Sequence, residues 1–242
     1  DFGSIPVIED LNPRRKYAQM AADFYGRQPD TMVAVTGTNG KTSVVDFTRQ
    51  IWQLNGCNAA SLGTIGVRSK TLNLPGGLTT PDPMTLYRDL YSLAEVGVTH
   101  AAVEASSHGL DQYRLDGIKL DAAAFTNLTR DHLDYHNTEA GYFYAKARLF
   151  GELLAPGSIA AITLAASYGK TVDDLCWGRG LKRLTVGYDR AASFAITDLT
   201  LLPKGQRVTI QFGGQSYTVE VPLIGGFQIE NALLAVALAT AT

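Results

Sequence analysis

Met32-Val33-Ala34-Val35-Thr36-Gly37-Thr38-Asn39-Gly40-Lys41-Thr42-Ser43 is the stretch that decides the fold. Its first four residues form a short apolar, partly β-branched run, which reads as a buried strand. Gly37 and Gly40 break that strand, and Thr42 to Leu54 has helical spacing that ends near Gly56. A strand, a glycine-rich turn and a helix N-terminus together make a phosphate site, because glycine N–H groups and the helix dipole both face the anion. In such a loop Lys41 reaches the β- and γ-phosphates and Thr42 holds Mg²⁺. The general pattern G-x-x-x-x-G-K-[ST] would put its first glycine at Val35, whereas the shorter form here has Gly37 three residues before Gly40. The loop specifies a nucleoside triphosphate. It does not choose between a kinase, a GTPase and a ligase.

Outward from the loop, the pattern alternates strand and helix. Ala101 to Val103, Ala122 to Phe125 and Ser158 to Leu164 read as further buried strands, with helices over Pro83 to Val96 and Glu139 to Leu154. Strands separated by helices of this length predict a mostly parallel sheet covered on both faces. Downstream, Phe194 to Leu202, Arg207 to Phe212 and Tyr217 to Val221 are strand-like runs punctuated by Gly205 and Gly213-Gly214, which predicts a small antiparallel sheet over about 194–221. An apolar helix begins near Ile229. Upstream, Asn12-Pro13 reads as a turn before a helix over Arg14 to Tyr25, and Gly26, Gln28 and Pro29 form a breaker. The fold class is α/β of P-loop type with an antiparallel addition.

Composition narrows the function. Hydrophobic residues are 45% of the 242 and charged residues 18%, enough for a substantial core. Lys plus Arg is 21 against 23 Asp plus Glu, a net charge of −2, which argues against a duplex nucleic-acid binder. Cys57 and Cys176 cannot build a disulfide framework, which points to the cytoplasm. No apolar run approaches the roughly 18 residues of a membrane span. Asp1-Phe2-Gly3-Ser4 has no basic region leading to an apolar stretch, and both ends read as cut, so a piece of a longer chain is expected.

Several polar residues fall where a parallel sheet binds its ligands, beyond the C-terminal strand ends. Glu104 closes the strand at Ala101 to Val103 and could complete a Mg²⁺ shell, or be a solvated strand-end carboxylate. Asp131, His132, Asp134 and His136 follow the next strand, as a polar helix cap or as metal ligands. Lys146 lies in an aromatic helix, Tyr142-Phe143-Tyr144-Ala145-Lys146, whose rings could dehydrate the amine and lower its pKa. Thr79 and Thr80 offer hydroxyls just before Asp82-Pro83, which is itself a helix cap with proline at the first helical position. Gln112 and Arg114 follow Ser106 closely, and Arg114 suits a phosphate or carboxylate, or a surface salt bridge.

Taken together, these segments resemble the Mur ligase family, whose Gly-Thr-Asn-Gly-Lys-Thr signature the Gly37 to Ser43 loop matches. More narrowly they resemble the MurE type, through Leu78 to Asp82, Glu104 to Arg114, Asn127 to His136 and Tyr144 to Lys146. The resemblance runs from about Ile8 to Thr242, and all of the segments in this order are highly specific. It implies an enzyme that uses ATP to join an amino acid to the D-Glu of UDP-MurNAc-L-Ala-D-Glu through an acyl phosphate, in peptidoglycan synthesis. It implies that Gly37, Thr38, Asn39, Gly40, Lys41, Thr42 and Ser43 cradle ATP, with Asn231 near the adenine. Thr42, Glu104, His132 and Lys146, the last N-carboxylated, are implied as Mg²⁺ ligands, and Lys41, Glu104, His132 and Lys146 as the catalytic set. Thr79, Thr80, Ser106, Gln112 and Arg114 are implied contacts to the UDP-sugar substrate.

The resemblance further implies a monomer with three domains. Residues 1–29 then belong to the end of an N-terminal substrate domain and its linker, residues 30–242 form the central ATP-binding domain, and the C-terminal domain is absent. On that reading the chain folds, binds nucleotide weakly and does not ligate by itself. Three positions depart from the family's usual pattern. Leu78 stands where Asn is common, Ile162-Thr163-Leu164-Ala165-Ala166 replaces an Asn-Ala-Asp-Asp-like run, and Gln228 replaces a frequent Asn. Two other functions compete: a different Mur-like ligase such as a folylpolyglutamate synthase, disfavoured by Ser106 to Arg114, and a non-catalytic nucleotide-binding module, disfavoured by intact Lys41, Glu104, His132 and Lys146.

Overall fold

A computed structural model describes residues 7–242, so the reading of Asp1 to Ser4 lies outside the described residues. The first elements are α1 (Pro13–Tyr25), β1 (Thr31–Thr36), α2 (Lys41–Leu54), β2 (Ala59–Gly63), β3 (Gly66–Arg68), β4 (Asn73–Leu74), α3 (Pro83–Glu95), β5 (His100–Glu104), α4 (Ser107–Asp111) and β6 (Ala122–Phe125). They are followed by α5 (Leu133–His136), α6 (Glu139–Arg148) with a π-helical turn at Leu149–Leu153, β7 (Ile159–Thr163), α7 (Gly169–Gly178), β8 (Lys182–Gly187), β9 (Phe194–Leu202), β10 (Gly205–Phe212), β11 (Gln215–Val221) and α8 (Gly226–Ala241).

All strands join one sheet in the order β11-β10-β9-β8-β7-β6-β1-β5-β2-β3-β4. From β2 through β9 the neighbours are parallel. β1 lies between β5 and β6, with Val35 opposite Glu104 on one side and Thr36 opposite Phe125 on the other. The chain leaves β1 first toward β5 and β2, then crosses to β6, β7 and β8. That reversal opens a crevice at the end of β1, which is where a doubly wound sheet binds its ligand.

The alternation of β1 explains why both faces are covered. Met32 and Ala34 point into one apolar cluster, with Leu86, Leu90 and Phe150, while Val33 and Val35 point into another, with Val44, Trp52 and Leu234. α3 and α6 therefore cover one face, and α2 and α8 the other. Asp82 caps α3 by accepting from the Thr85 N–H, with Pro83 in the first turn, as the sequence predicts. α1 is capped by Asn12 and ends at Gly26 in the left-handed conformation, burying Ala18 and Ala21.

The antiparallel strands expected over 194–221 are present, and they continue the main sheet. β9 starts parallel to β8, with Val186 opposite Phe194 and Gly187 opposite Ala195, and only then do β10 and β11 fold back antiparallel. The reason is burial: Phe194, Ala195 and Ile196 are core residues, so the start of β9 is committed to the main sheet. The sequence reading also omits β2 and β8, which the sheet needs as neighbours of β5 and β7. Among the described residues no helix is long and apolar enough to cross a membrane, and Cys57 and Cys176 are free thiols.

Candidate active site

The loop after β1 is built around two glycines that nothing else can replace. Gly37 has φ 148°, and a Cβ there would lie 1.8 Å from Thr126 Oγ1. Gly40 has φ 88°, and a Cβ there would lie 2.4 Å from Asn231 Oδ1. The loop is held from the β6 side. Thr38 N–H donates to Asn127 O at 2.8 Å, Asn39 N–H to Asn127 Oδ1 at 3.0 Å, and Thr126 Oγ1 to Asn39 O at 2.6 Å. The Thr38 and Asn39 amides are thus engaged by the segment that follows β6, which leaves the amides at the start of α2 to face a phosphate.

Two lysines meet at this loop. Lys41 Nζ donates to Gly37 O and to Thr38 O, each at 2.8 Å, and Lys146 Nζ donates to the same Gly37 O at 2.8 Å. Lys146 is 1% exposed and lies 4.4 Å from the centroid of the Tyr142 ring, one turn earlier on α6. Burial, reinforced by the positive charge of Lys41 and only partly opposed by Asp131, pushes the Lys146 amine down to about 6. The dehydrated amine read from the aromatic spacing is therefore what the fold produces. Lys41 is lowered too, mainly by burial, against the pull of Glu104 and Asp131.

Glu104, at the end of β5, is 2% exposed. Its carboxylate accepts from Thr42 Oγ1 at 2.9 Å, from Thr64 N–H at 2.9 Å and from Thr64 Oγ1 at 3.3 Å. Among the described residues these hydrogen-bond partners are all neutral, and no Lys, Arg or His reaches Glu104 in an ion pair. A buried anion beside a hydroxyl, without a paired cation, is a donor set that fits a hard divalent ion such as Mg²⁺. Among the described residues no group of three or more His, Cys, Asp or Glu is arranged to hold a metal by itself. Any Mg²⁺ site here would therefore add the Thr42 hydroxyl and oxygens of the nucleotide to Glu104.

Gly63 backs this carboxylate, and a Cβ there would lie 2.0 Å from Glu104 Oε1. Gly63→Ala is expected to destabilise the fold by about 1–3 kcal/mol, the cost of overpacking. It should also weaken Mg²⁺-dependent nucleotide binding, because Glu104 must swing away from Thr42. Thermal denaturation and nucleotide titration with and without Mg²⁺ would check both.

Lys41, Thr79, Thr80, Ser106, Arg114, His132 and Lys146 line one cavity of about 270 Å³, together with Leu78, Ser107, His108 and Tyr142. Thr80 is fully engaged locally: its hydroxyl donates to Glu104 O at 2.8 Å and accepts from Ser106 N–H at 2.9 Å. Ser106 caps α4 by accepting from Gly109 N–H at 3.0 Å. Thr79 bonds Thr64 through their hydroxyls at 3.0 Å. Arg114 is held by Gln112 Oε1, at 2.7 Å from Nη2, and by Thr80 O, not by a surface carboxylate. Gln112 reaches the site through Arg114 and Tyr135, not by lining the cavity. His132 sits at the start of α5 with φ 51°, its ring 5.1 Å from His108 and 6.0 Å from Tyr142. Asp134 and His136 belong to that short α5 turn, and an Asp131 carboxylate oxygen lies 3.6 Å from His132 Nε2.

Asn39, Gly40, Ser43 and Asn231 line a second cavity of about 530 Å³ on the other side of the loop, with Phe227, Glu230, Ala165 and Ala166. The two alanines of the departing 162–166 run thus face this cavity. Gln228 accepts from Asn231 Nδ2 at 3.3 Å. The loop therefore separates a polar cavity, with both lysines, from a roomier cavity that could take a base.

Sequence reasoning named Tyr142 only as one of the rings around Lys146, and its i, i+4 spacing singles it out. Thr64 and Gly63 follow from no motif, because the strand that leads into them was itself unread.

A model of the Mur ligase middle domain matches residues 35–239. The chain is 48% identical over its whole length to the UDP-N-acetylmuramoyl-L-alanyl-D-glutamate–2,6-diaminopimelate ligase of Bradyrhizobium diazoefficiens, covering 50% of that protein. It is 50% identical over 98% of its length to the enzyme of the same name from Rhizobium meliloti, covering 49% of it. A solved structure of a ligase with this name superposes with a TM-score of 0.89 at 31% identity, over 99% of this chain and 50% of that one. Lactobacillus casei folylpolyglutamate synthetase shares the fold, with a TM-score of 0.72 at 16% identity over 99% of this chain and 64% of that one. The chain spans about half the length of the curated relatives it matches.

Proposed function

The chain belongs to the Mur ligase family, and from that premise we propose that it is the central ATP-binding domain of an ATP-dependent amide ligase. In the whole protein the reaction adds an amino acid to the D-Glu of UDP-MurNAc-L-Ala-D-Glu. The relatives' names favour 2,6-diaminopimelate as that amino acid. Residues 30–242 form the domain, in line with the family match over 35–239, and residues 1–29 lead in from a substrate-binding domain. Selection of the amino acid belongs to the part of the protein beyond this domain. The enzyme works in the cytoplasm as a monomer.

One observation carries this reading: Lys41 of the phosphate loop and Lys146 of α6 converge on Gly37 O, in the cavity that Thr79, Thr80, Ser106 and Arg114 also line. A kinase or GTPase loop explains Lys41 but gives no reason to bury a second amine there. The D-Glu carboxylate attacks the γ-phosphorus of ATP, giving an acyl phosphate and ADP. The incoming amine then attacks the acyl carbon, and phosphate leaves from the tetrahedral intermediate as the amide forms.

In the first step Lys41 exchanges its carbonyl partners for the β- and γ-phosphates, and the Gly37 to Ser43 loop, through the amides at the start of α2, holds the chain of phosphates in line. Asn231 and the cavity beside it take the adenine. Arg114, oriented by Gln112, and Thr79, Thr80 and Ser106 fix the UDP-sugar dipeptide so that its carboxylate faces the loop. Mg²⁺, when bound, would neutralise phosphate charge. Thr42 and Glu104 are the residues that would hold one such ion and His132 a second, with N-carboxylated Lys146 helping to hold Mg²⁺.

The test is ADP release by the full-length protein with UDP-MurNAc-L-Ala-D-Glu, ATP and Mg²⁺. Release is expected only when an amino acid is added, with 2,6-diaminopimelate far better than L-lysine. ADP release indifferent to every amino acid would overturn the ligase reading. The 242-residue chain alone is expected to bind nucleotide and to form no amide.

A further inference from the structure

Arg148 and Asp116 form a buried ion pair outside the cavity, with side chains 9% and 2% exposed. Arg148 Nη2 donates to both Asp116 oxygens, at 2.6 and 2.8 Å, and Nη1 donates to Leu110 O at 2.6 Å. The guanidinium also lies 4.1 Å from the centroid of the Tyr113 ring. Asp116 accepts a second cation, Arg15 of α1, at 2.9 Å, and its backbone carbonyl accepts from Tyr87 OH of α3 at 2.9 Å.

The segments joined in this way carry the site. Arg148 is two residues beyond Lys146 on α6, and residues two apart on a helix face different ways. The fork thus reaches from the back of α6 to Asp116 and Leu110 while Lys146 faces the phosphate loop. On the other side, Leu110 and Tyr113 belong to the turn that leads through Gln112 to Arg114. Tyr113 has φ 58°, a conformation that an aromatic residue keeps only where its surroundings impose it, and here the Arg148 plane stacks on its ring.

A buried ion pair adds little net stability over apolar residues of equal size, so stability alone is a poor reason to keep one. The planar fork of arginine fixes distance and angle in a way that lysine does not. We propose that Asp116 and Arg148 are positioning residues that set the separation between the Gln112–Arg114 turn and the Lys146 helix. They thereby set where the UDP-sugar carboxylate meets the transferring phosphoryl group. The proposal rests on the amide-ligase reading above.

The experiment uses the full-length protein and compares Arg148→Lys and Asp116→Asn with the parent. The KM for the UDP-sugar dipeptide is expected to rise roughly tenfold and kcat to fall comparably, since small misplacements of this kind are costly, while the KM for ATP moves by less than about twofold. Tyr113→Asn keeps the backbone conformation and removes only the stack, so it should shift the same KM in the same direction even if the ion-pair variants fail to fold. A lower melting temperature with both KM values unmoved would make the pair purely structural and overturn the inference alone. A parent protein that forms no amide would overturn the ligase reading and this inference with it.

Discussion

Lys146→Ala in the full-length protein is expected to lose amide formation by roughly 10²–10³-fold or more, the scale seen when one preorganised charge-stabilising group is removed. High bicarbonate should not restore it. The expectation comes from the surroundings of the amine. Lys146 is 1% exposed, shares Gly37 O with Lys41 and sits against the Tyr142 ring. With burial and Lys41 pushing it down to about 6, the neutral amine outnumbers the ammonium about tenfold at pH 7. A neutral amine can add CO₂, whereas an ammonium cannot. The product is an anion, which changes Lys146 from a competitor of Lys41 into a group able to hold a metal.

Parent enzyme stripped of CO₂ should therefore lose activity and regain it with bicarbonate, and that recovery should fade as the pH drops through about 6. A Lys146→Ala enzyme within tenfold of the parent would refute the assignment. Stability gives a second readout in CO₂-free buffer. The folded chain holds this proton only below about 6, and the unfolded chain holds it up to the ordinary lysine value of 10.5. Between those values the unfolded state binds more protons, so this group favours unfolding increasingly as the pH falls from 10.5 toward 6. Lys146→Met should flatten that slope and raise the melting temperature near pH 7.

How much of this was legible beforehand depends on what each residue's local pattern records. β1, β5, β6 and β7 are short apolar runs ended by polar or glycine residues, and they stand where the sequence predicts them. β2 is Ala59-Ala60-Ser61-Leu62-Gly63, too small in its side chains to read as a strand. It is buried only because α2 and β5 close over it, which is tertiary context. β8 opens with Lys182-Arg183 and hides its apolar half behind them. The role expected of Lys146 came through the family resemblance, since a lone helix lysine carries no fixed pattern, whereas the loop and the place of Glu104 at a strand end were readable because phosphate chemistry restricts residue type at fixed spacing. Thr64 was not, because a threonine hydroxyl reaching a distant carboxylate leaves no local pattern. Thr80 was read as a substrate contact, yet its hydroxyl already donates and accepts within the chain, so its role passes through the shape it gives the 78–82 loop. The Ser106 hydroxyl, by contrast, only accepts from Gly109 N–H and keeps its own O–H to donate into the cavity.

Glu104→Gln separates charge from shape at the same site, and is expected to lower ligation by roughly 10²–10³-fold while changing folding stability by no more than about 1 kcal/mol. The substitution fits because of the hydrogen bonds already present. Oε1 accepts from Thr42 Oγ1 and Thr64 N–H, and a glutamine oxygen can do the same. Oε2 accepts from Thr64 Oγ1, and a glutamine NH₂ can donate to that hydroxyl once it rotates. What disappears is the negative charge, buried to 2% exposure with only neutral hydrogen-bond partners among the described residues. If that charge serves the fold, its removal should matter little to nucleotide binding. If it serves Mg²⁺, the gain in ATP affinity on adding Mg²⁺ should vanish, while binding in EDTA stays as in the parent. The second pattern is expected in a calorimetric titration with the 242-residue chain, and a Mg²⁺ effect equal in variant and parent would remove Glu104 from the metal site. Gly63→Ala sharpens the comparison, because it displaces the same carboxylate without neutralising it. If position as well as charge is needed, both variants lose the Mg²⁺ effect, but only Gly63→Ala loses stability.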